Sequence, residues 1–138
     1  MTGSEEAARA WQAMRTLVLD NDRRREVSDA LGLSFIRAKA LRRLAEGPAT
    51  LRELAAALIV DAPYTTVMVD DLERRGLVVR TAHPTDRRAK LVTVTPEGAA
   101  AAALADQILG RPPEALLTLD PNDLAALSRI ITTLLPFR

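Results

Sequence analysis

Between residues 61 and 95 the spacing of apolar positions predicts three elements in close succession. Thr65, Met68, Val69 and Leu72 recur at intervals of one, three and four, which places them on one buried face of a helix. Asp61 is a suitable N-cap with Pro63 in the first turn, and Gly76, after Glu73-Arg74-Arg75, is a natural stop. Residues 77–81 and 91–95 are rich in β-branched side chains and predict two short strands. The loop between them, His83-Pro84-Thr85-Asp86-Arg87-Arg88-Ala89-Lys90, carries its cations on the descending side.

The same reasoning extends to both ends. Residues 1–4 are expected as a loose tail, and 5 to about 29 as one long helix. Trp11, Met14, Val18, Val27, Ala30 and Leu31 keep its three-to-four spacing, although residues 20–26 are wholly polar or charged. Gly32 breaks that helix and Ser34 caps the next, whose apolar side is Phe35, Ile36, Ala40, Leu41 and Leu44. Thr50 and Glu53 form a capping box for a short helix ending near Leu58. After the hairpin, Thr95-Pro96-Glu97 caps an alanine-rich helix of high intrinsic helicity, broken at Gly110-Arg111-Pro112-Pro113. Asp120 opens a last helix with Leu124, Leu127, Ile130, Ile131, Leu134 and Leu135 on one side.

Two short helices joined by a tight turn and followed by a cationic hairpin give the layout of a winged helix-turn-helix. The expected fold is therefore mainly α with a small β-wing. Three segments follow: 1–32 as an N-terminal dimerisation helix, 33–97 as the winged DNA-binding unit, and 98–138 as C-terminal dimerisation helices. Alone, the amphipathic arms have no core to complete. Packing them against a second copy gives a two-fold homodimer and implies a pseudo-palindromic site.

Composition narrows the chemistry. Hydrophobic residues make up 48% of the 138, enough for a core, while aromatics are 3%, so aliphatic side chains must fill it. The net charge of +1 does not by itself predict a polyanionic partner; only local clustering can. All 19 cations are Arg except Lys39 and Lys90. With no cysteine, disulfides and thiolate chemistry are excluded within the chain. One histidine, no glycine-rich phosphate loop and no paired metal ligands leave no constellation for an enzyme, and no cofactor is expected. No apolar run reaches the roughly 18 residues of a membrane span, and the N-terminus lacks an apolar signal core, so a cytoplasmic protein is expected.

Leu72-Glu73-Arg74-Arg75-Gly76-Leu77-Val78, the run Asp86-Arg87-Arg88-Ala89-Lys90-Leu91-Val92 and Thr95-Pro96-Glu97-Gly98 resemble the MarR family of bacterial transcription regulators. The resemblance covers residues 33–98 and extends more loosely to both ends. It implies a winged-helix homodimer that binds double-stranded operator DNA, usually as a repressor, and often releases it on binding a small aromatic ligand. It also implies that Asp86 and Arg88 stand at the hairpin tip, with Arg88 in a minor groove, where a narrow groove attracts its charge. Arg87 and Lys90 complete the expected wing contacts.

The recognition helix departs from the family pattern. Positions that often carry Arg hold Ala62 and Val67 here. The expected reading face is Asp61, Ala62, Pro63, Tyr64, Thr66 and Val67, without an Arg fork for guanine. Hydroxyls of Tyr64 and Thr66 and methyl contacts from Ala62 or Val67 would then supply readout; a core position for Tyr64 is the competing expectation. Thr65 is expected to face inward, Asp70 to be a structural partner for a wing or neighbouring Arg rather than a base reader, and His83 to be a loop residue. Arg23-Arg24-Arg25 suits either a solvated face or a phosphate contact. By position, Trp11, Met14, Phe35 and Ala38 are the candidates for an effector pocket, against the plainer role of core residues. Use of the winged domain for protein or RNA contacts is the alternative in another class. The cationic wing opposes the former, and the absence of exposed aromatic pairs opposes single-stranded RNA.

Overall fold

The computed structural model describes residues 2–136. Its elements run α1 (Gly3–Asp20), α2 (Arg24–Leu31), α3 (Phe35–Glu46), β1 (Ala49–Thr50), α4 (Leu51–Leu58), α5 (Ala62–Arg74), β2 (Val78–Ala82), β3 (Lys90–Val94), α6 (Pro96–Leu109), α7 (Glu114–Leu117) and α8 (Pro121–Leu134). The architecture is mainly α with a small antiparallel sheet, as the periodicity predicts. The sheet has three strands in the order β1-β3-β2, one more than expected. Ala49 pairs with Val92 and Thr50 with Leu91, so the segment before α4 is tied to the hairpin. Two residues carry no periodicity, which is why sequence pattern misses this strand.

The main core lies between α3, α4, α5 and the sheet. Leu41, Leu44, Leu54, Met68, Val69, Leu72, Val78 and Val92 are fully buried there. Each such side chain contributes roughly 1.5–3 kcal/mol by leaving water. A second cluster, Val27, Ala38, Ala105 and Ile108, joins α2 and α3 to α6 through small residues that allow close approach.

The long helix expected over 5–29 is two helices. Asn21 ends α1, its amide donating to the Leu17 carbonyl at 2.8 Å. The Asp22 carboxylate accepts the Arg24 backbone N–H at 2.9 Å and pairs with the Arg24 guanidinium at 2.8 Å. That contact holds the Asp22 carboxyl below the usual carboxylate range. The polar stretch that suits no core helix is thus a break with its own capping. Arg23 spans it to the end of α6, donating to the carbonyls of Ile108 at 3.2 Å, Arg111 and Pro112. Gly110 and the two prolines end α6, and Arg23 binds carbonyls at and just beyond that end. Arg111 returns a forked pair to Glu26 at 2.8 and 3.0 Å. Of the Arg triplet, only Arg25 is left without an internal partner among the described residues.

The expected loose start is also corrected. Thr2 caps α1 in a reciprocal box with Glu5, so the helix begins at Gly3. The arms keep apolar positions without cover: α1, α7 and α8 bury no residue, and Trp11 (62%), Val18 (69%) and Leu134 (67%) are among those largely exposed.

Candidate nucleic-acid interface

Helix α5 is set by its first turn. The Asp61 side chain accepts the Tyr64 N–H at 2.7 Å, and Pro63 costs no hydrogen bond so near the start. Thr65 faces inward, with no exposed surface, and its hydroxyl donates to the Asp61 carbonyl at 2.8 Å. Met68, Val69 and Leu72 continue the buried face. The opposite side presents Ala62, Pro63, Tyr64, Thr66 and Val67 to solvent. Tyr64 is 41% exposed, which removes the core alternative. The Thr66 hydroxyl donates to the Ala62 carbonyl at 3.2 Å, so toward solvent it offers lone pairs only.

The turn before α5 is tight and unusual. Ile59 adopts the left-handed conformation, with φ 57°, and is 92% exposed. Its backbone N–H and that of Val60 close the end of α4 on Ala56 and Ala55.

Carboxylates on α5 are already engaged. Arg80 of β2 reaches Asp70 at 2.5 Å and Glu73 at 2.7 Å, bracing the helix against the hairpin. Asp71 accepts from Arg74 at 2.7 Å, Arg75 at 2.9 Å and Arg37 of α3 at 2.9 Å. Arg74 first, then Arg75 and Arg37, hold its carboxyl below the usual range. Gly76 follows at φ 77°, a conformation an L side chain resists, and lets the chain turn from α5 into β2.

The wing hairpin pairs Val78 with Val94 through Ala82 with Lys90. Its tip is organised by His83, whose Nδ1 accepts the backbone N–H groups of Thr85 at 3.2 Å and Asp86 at 3.1 Å. The Asp86 carboxylate in turn accepts the Arg88 backbone N–H at 3.0 Å. Asp86 therefore orients Arg88 through its main chain and leaves the guanidinium free. Arg87, Arg88 and Lys90 are exposed and meet no carboxylate among the described residues. The Arg80–Asp70 pair matches the expectation that Asp70 partners a wing or neighbouring Arg. Sequence reasoning misses that Arg80 also holds Glu73 and that His83 organises the turn. Glu73 lies on a helix seven residues back and the partners of His83 in a non-repeating turn, and neither leaves a periodic signal.

The candidate effector residues do not form one wall. Ala38 is completely covered by the second core cluster, so it offers no surface to a ligand. Phe35 packs partly buried against that cluster. Trp11 stands exposed on α1 and Met14 is half-buried.

A model of the MarR family matches residues 37–90, from the first turn of α3 to the start of β3. Over that stretch the chain is similar to the MarR family of winged helix-turn-helix transcription regulators. Wild-type MarR from E. coli, in its apo form, is 28% identical, with a TM-score of 0.71 over 91% of this chain and 96% of that one. A mutant MarR from E. coli complexed with operator DNA is 26% identical, with a TM-score of 0.61 over 99% and 100% of the two chains. A Thauera aromatica protein, named as a transcriptional regulatory protein for the hcr operon, is 41% identical over 58 residues. That match spans 42% of this chain and about a third, 35%, of the Thauera protein. Among the described residues, no helix is long and apolar enough to cross a membrane.

Proposed function

We propose that the chain is a cytoplasmic, homodimeric repressor that occupies a pseudo-palindromic operator in double-stranded DNA. The observation that carries this reading is the pairing of two surfaces. The solvent face of α5, Asp61 to Val67, is free of unmatched carboxylates except the capping Asp61, and the adjoining wing holds Arg87, Arg88 and Lys90 unpaired among the described residues. A helix of this kind fits a major groove, with the wing on the backbone or in the neighbouring minor groove. The likeness to a MarR complexed with operator DNA supports the same reading.

The homodimer is supported by α1 and α8, which bury nothing within the chain yet expose Trp11, Val18, Leu19, Leu124, Ile130 and Leu134. A second copy of the same arms, 1–32 and 98–138, covers these faces, and the two winged units, 33–97, are then presented together. Release by a small aromatic ligand is part of the reading. Its candidate apolar contacts are Trp11, Met14 and Phe35, brought together only in the dimer, without Ala38. The role is binding rather than catalysis.

In-vitro selection from random duplex DNA tests the proposal, with sedimentation of the free protein alongside. A palindrome with half-sites about one helical turn apart and a dimer at micromolar concentration are expected. A monomer, or binding with no selected motif, overturns it.

A further inference from the structure

We infer that Arg52, on α4, joins Arg88 and Lys90 of the wing to seat one backbone phosphate of the bound DNA. The inference rests on the DNA-binding reading and adds a contact outside both the recognition helix and the wing.

The cations of this chain are sorted by partner. Arg24, Arg37, Arg42, Arg74, Arg75, Arg80 and Arg111 each pair with a carboxylate. Arg23 and Arg43 donate to backbone carbonyls. Arg52, Arg88 and Lys90 do neither among the described residues, and they line one open cleft of about 400 Å3 with Thr50 and Asp86. The fold brings them together through the short strand: Thr50 pairs with Leu91, so the first turn of α4 lies against the base of the wing.

Two carboxylates stand near this group, Asp86 in the cleft itself and Glu53 beside Arg52. Each accepts a backbone N–H, Asp86 that of Arg88, and no ion pair joins either to Arg52, Arg88 or Lys90 among the described residues. Glu53 accepts the Thr50 backbone N–H at 3.1 Å in the capping box, which with the Thr50 hydroxyl holds its carboxyl below the usual range. Unpaired cations converging on one cleft repel one another, and a doubly coordinated phosphate oxygen pair relieves that repulsion by charge-assisted hydrogen bonds. A phosphate held here fixes the wing and α4 to one strand and carries no base information.

The test measures affinity against salt for the selected operator and a random duplex, using the wild type, Arg52→Ala and Arg52→Lys. Arg52 is exposed, so each variant should keep the wild-type melting temperature. Arg52→Ala should weaken both DNAs alike and flatten the log–log salt slope by about 0.9, while Arg52→Lys should keep most of the slope. A neutral methylphosphonate, moved along the operator, should weaken the wild type at one linkage per half-site and leave Arg52→Ala indifferent there. An unchanged slope with an unchanged methylphosphonate pattern overturns the seat. Saturable binding of inorganic phosphate to the DNA-free wild type, lost in Arg52→Ala, would assign the cleft to a free anion and overturn it too. If the wild type itself binds no duplex at low salt, the DNA-binding reading has failed first, and the seat with it.

Discussion

A methyl group on Gly98 would lie 2.0 Å from the carbonyl oxygen of Leu77. The contact is to backbone, so nothing can swing aside. Around it, the Thr95 hydroxyl donates to the Gly76 carbonyl at 2.7 Å, and the Thr95 N–H to the Leu77 carbonyl at 3.0 Å. The start of α6 is thus docked on the turn that leaves the recognition helix. Gly98→Ala should destabilise the fold by about 1–3 kcal/mol, the ordinary cost of overpacking, or more. Urea unfolding measures it, and a loss under about 0.5 kcal/mol would mean the joint can open without cost.

Asp71 gives the chain a defined response to acid. Its carboxyl is held low by Arg74, Arg75 and Arg37, so its stabilising effect is present at neutral pH. It fades as pH falls below the unfolded value of about 4 and through the lowered folded value. Asp71→Asn should melt below the wild type at pH 7, and the two melting temperatures should converge toward pH 3. A gap that stays constant with pH would show that the charge of Asp71 is not what holds α5 to α3.

The turn at the wing tip depends on an acceptor at His83. His83→Ala should free the Thr85 and Asp86 amides and speed their hydrogen exchange by about fivefold to tenfold, the loss of about 1 kcal/mol. His83→Asn should keep exchange slow, because an Asn side-chain oxygen accepts from N–H groups further along a turn in the same way. Equal exchange in all three proteins would remove His83 from the turn.

Tyr64 is the polar group best placed on the solvent face of α5. Tyr64→Phe should change preference at one base pair of each half-site by about 1–3 kcal/mol, with little effect on random DNA. Selection of the same site by both proteins would take the hydroxyl out of the readout.

The residues that are most legible in the sequence prove to be structural. Leu72–Val78 and Thr95–Gly98 carry the family resemblance, and in the fold they meet: Thr95 and Gly98 close on Gly76 and Leu77. Their spacing is fixed by backbone geometry, so it survives as a readable pattern. Helix caps were legible for the same reason, at Ser34, Thr50, Asp61, Thr95 and Asp120. What sequence pattern could not supply were pairings across long separations. The reach of Arg23 to Arg111, the pairing of Thr50 with Leu91, and the nearness of Arg52 to Lys90 all depend on topology. The break at residues 21–23 was legible only as an anomaly of polarity, because a run of charges says that a core helix fails without saying what replaces it. For the interface, helical spacing placed Thr65 inward and left Tyr64 open, and burial puts Tyr64 on the solvent side.

The left-handed Ile59 is a point of frustration in the folding landscape. A β-branched residue resists this conformation, yet the helices on either side demand it, and the side chain gains no burial in return. Local preference and global fold therefore disagree at the one turn that sets the angle between α4 and α5. The chain carries an untapped stability reserve there, on the order of 1 kcal/mol, that a glycine could release without touching the core or the solvent face of α5. Stability in this protein has not been driven to its limit at the hinge of its helix pair.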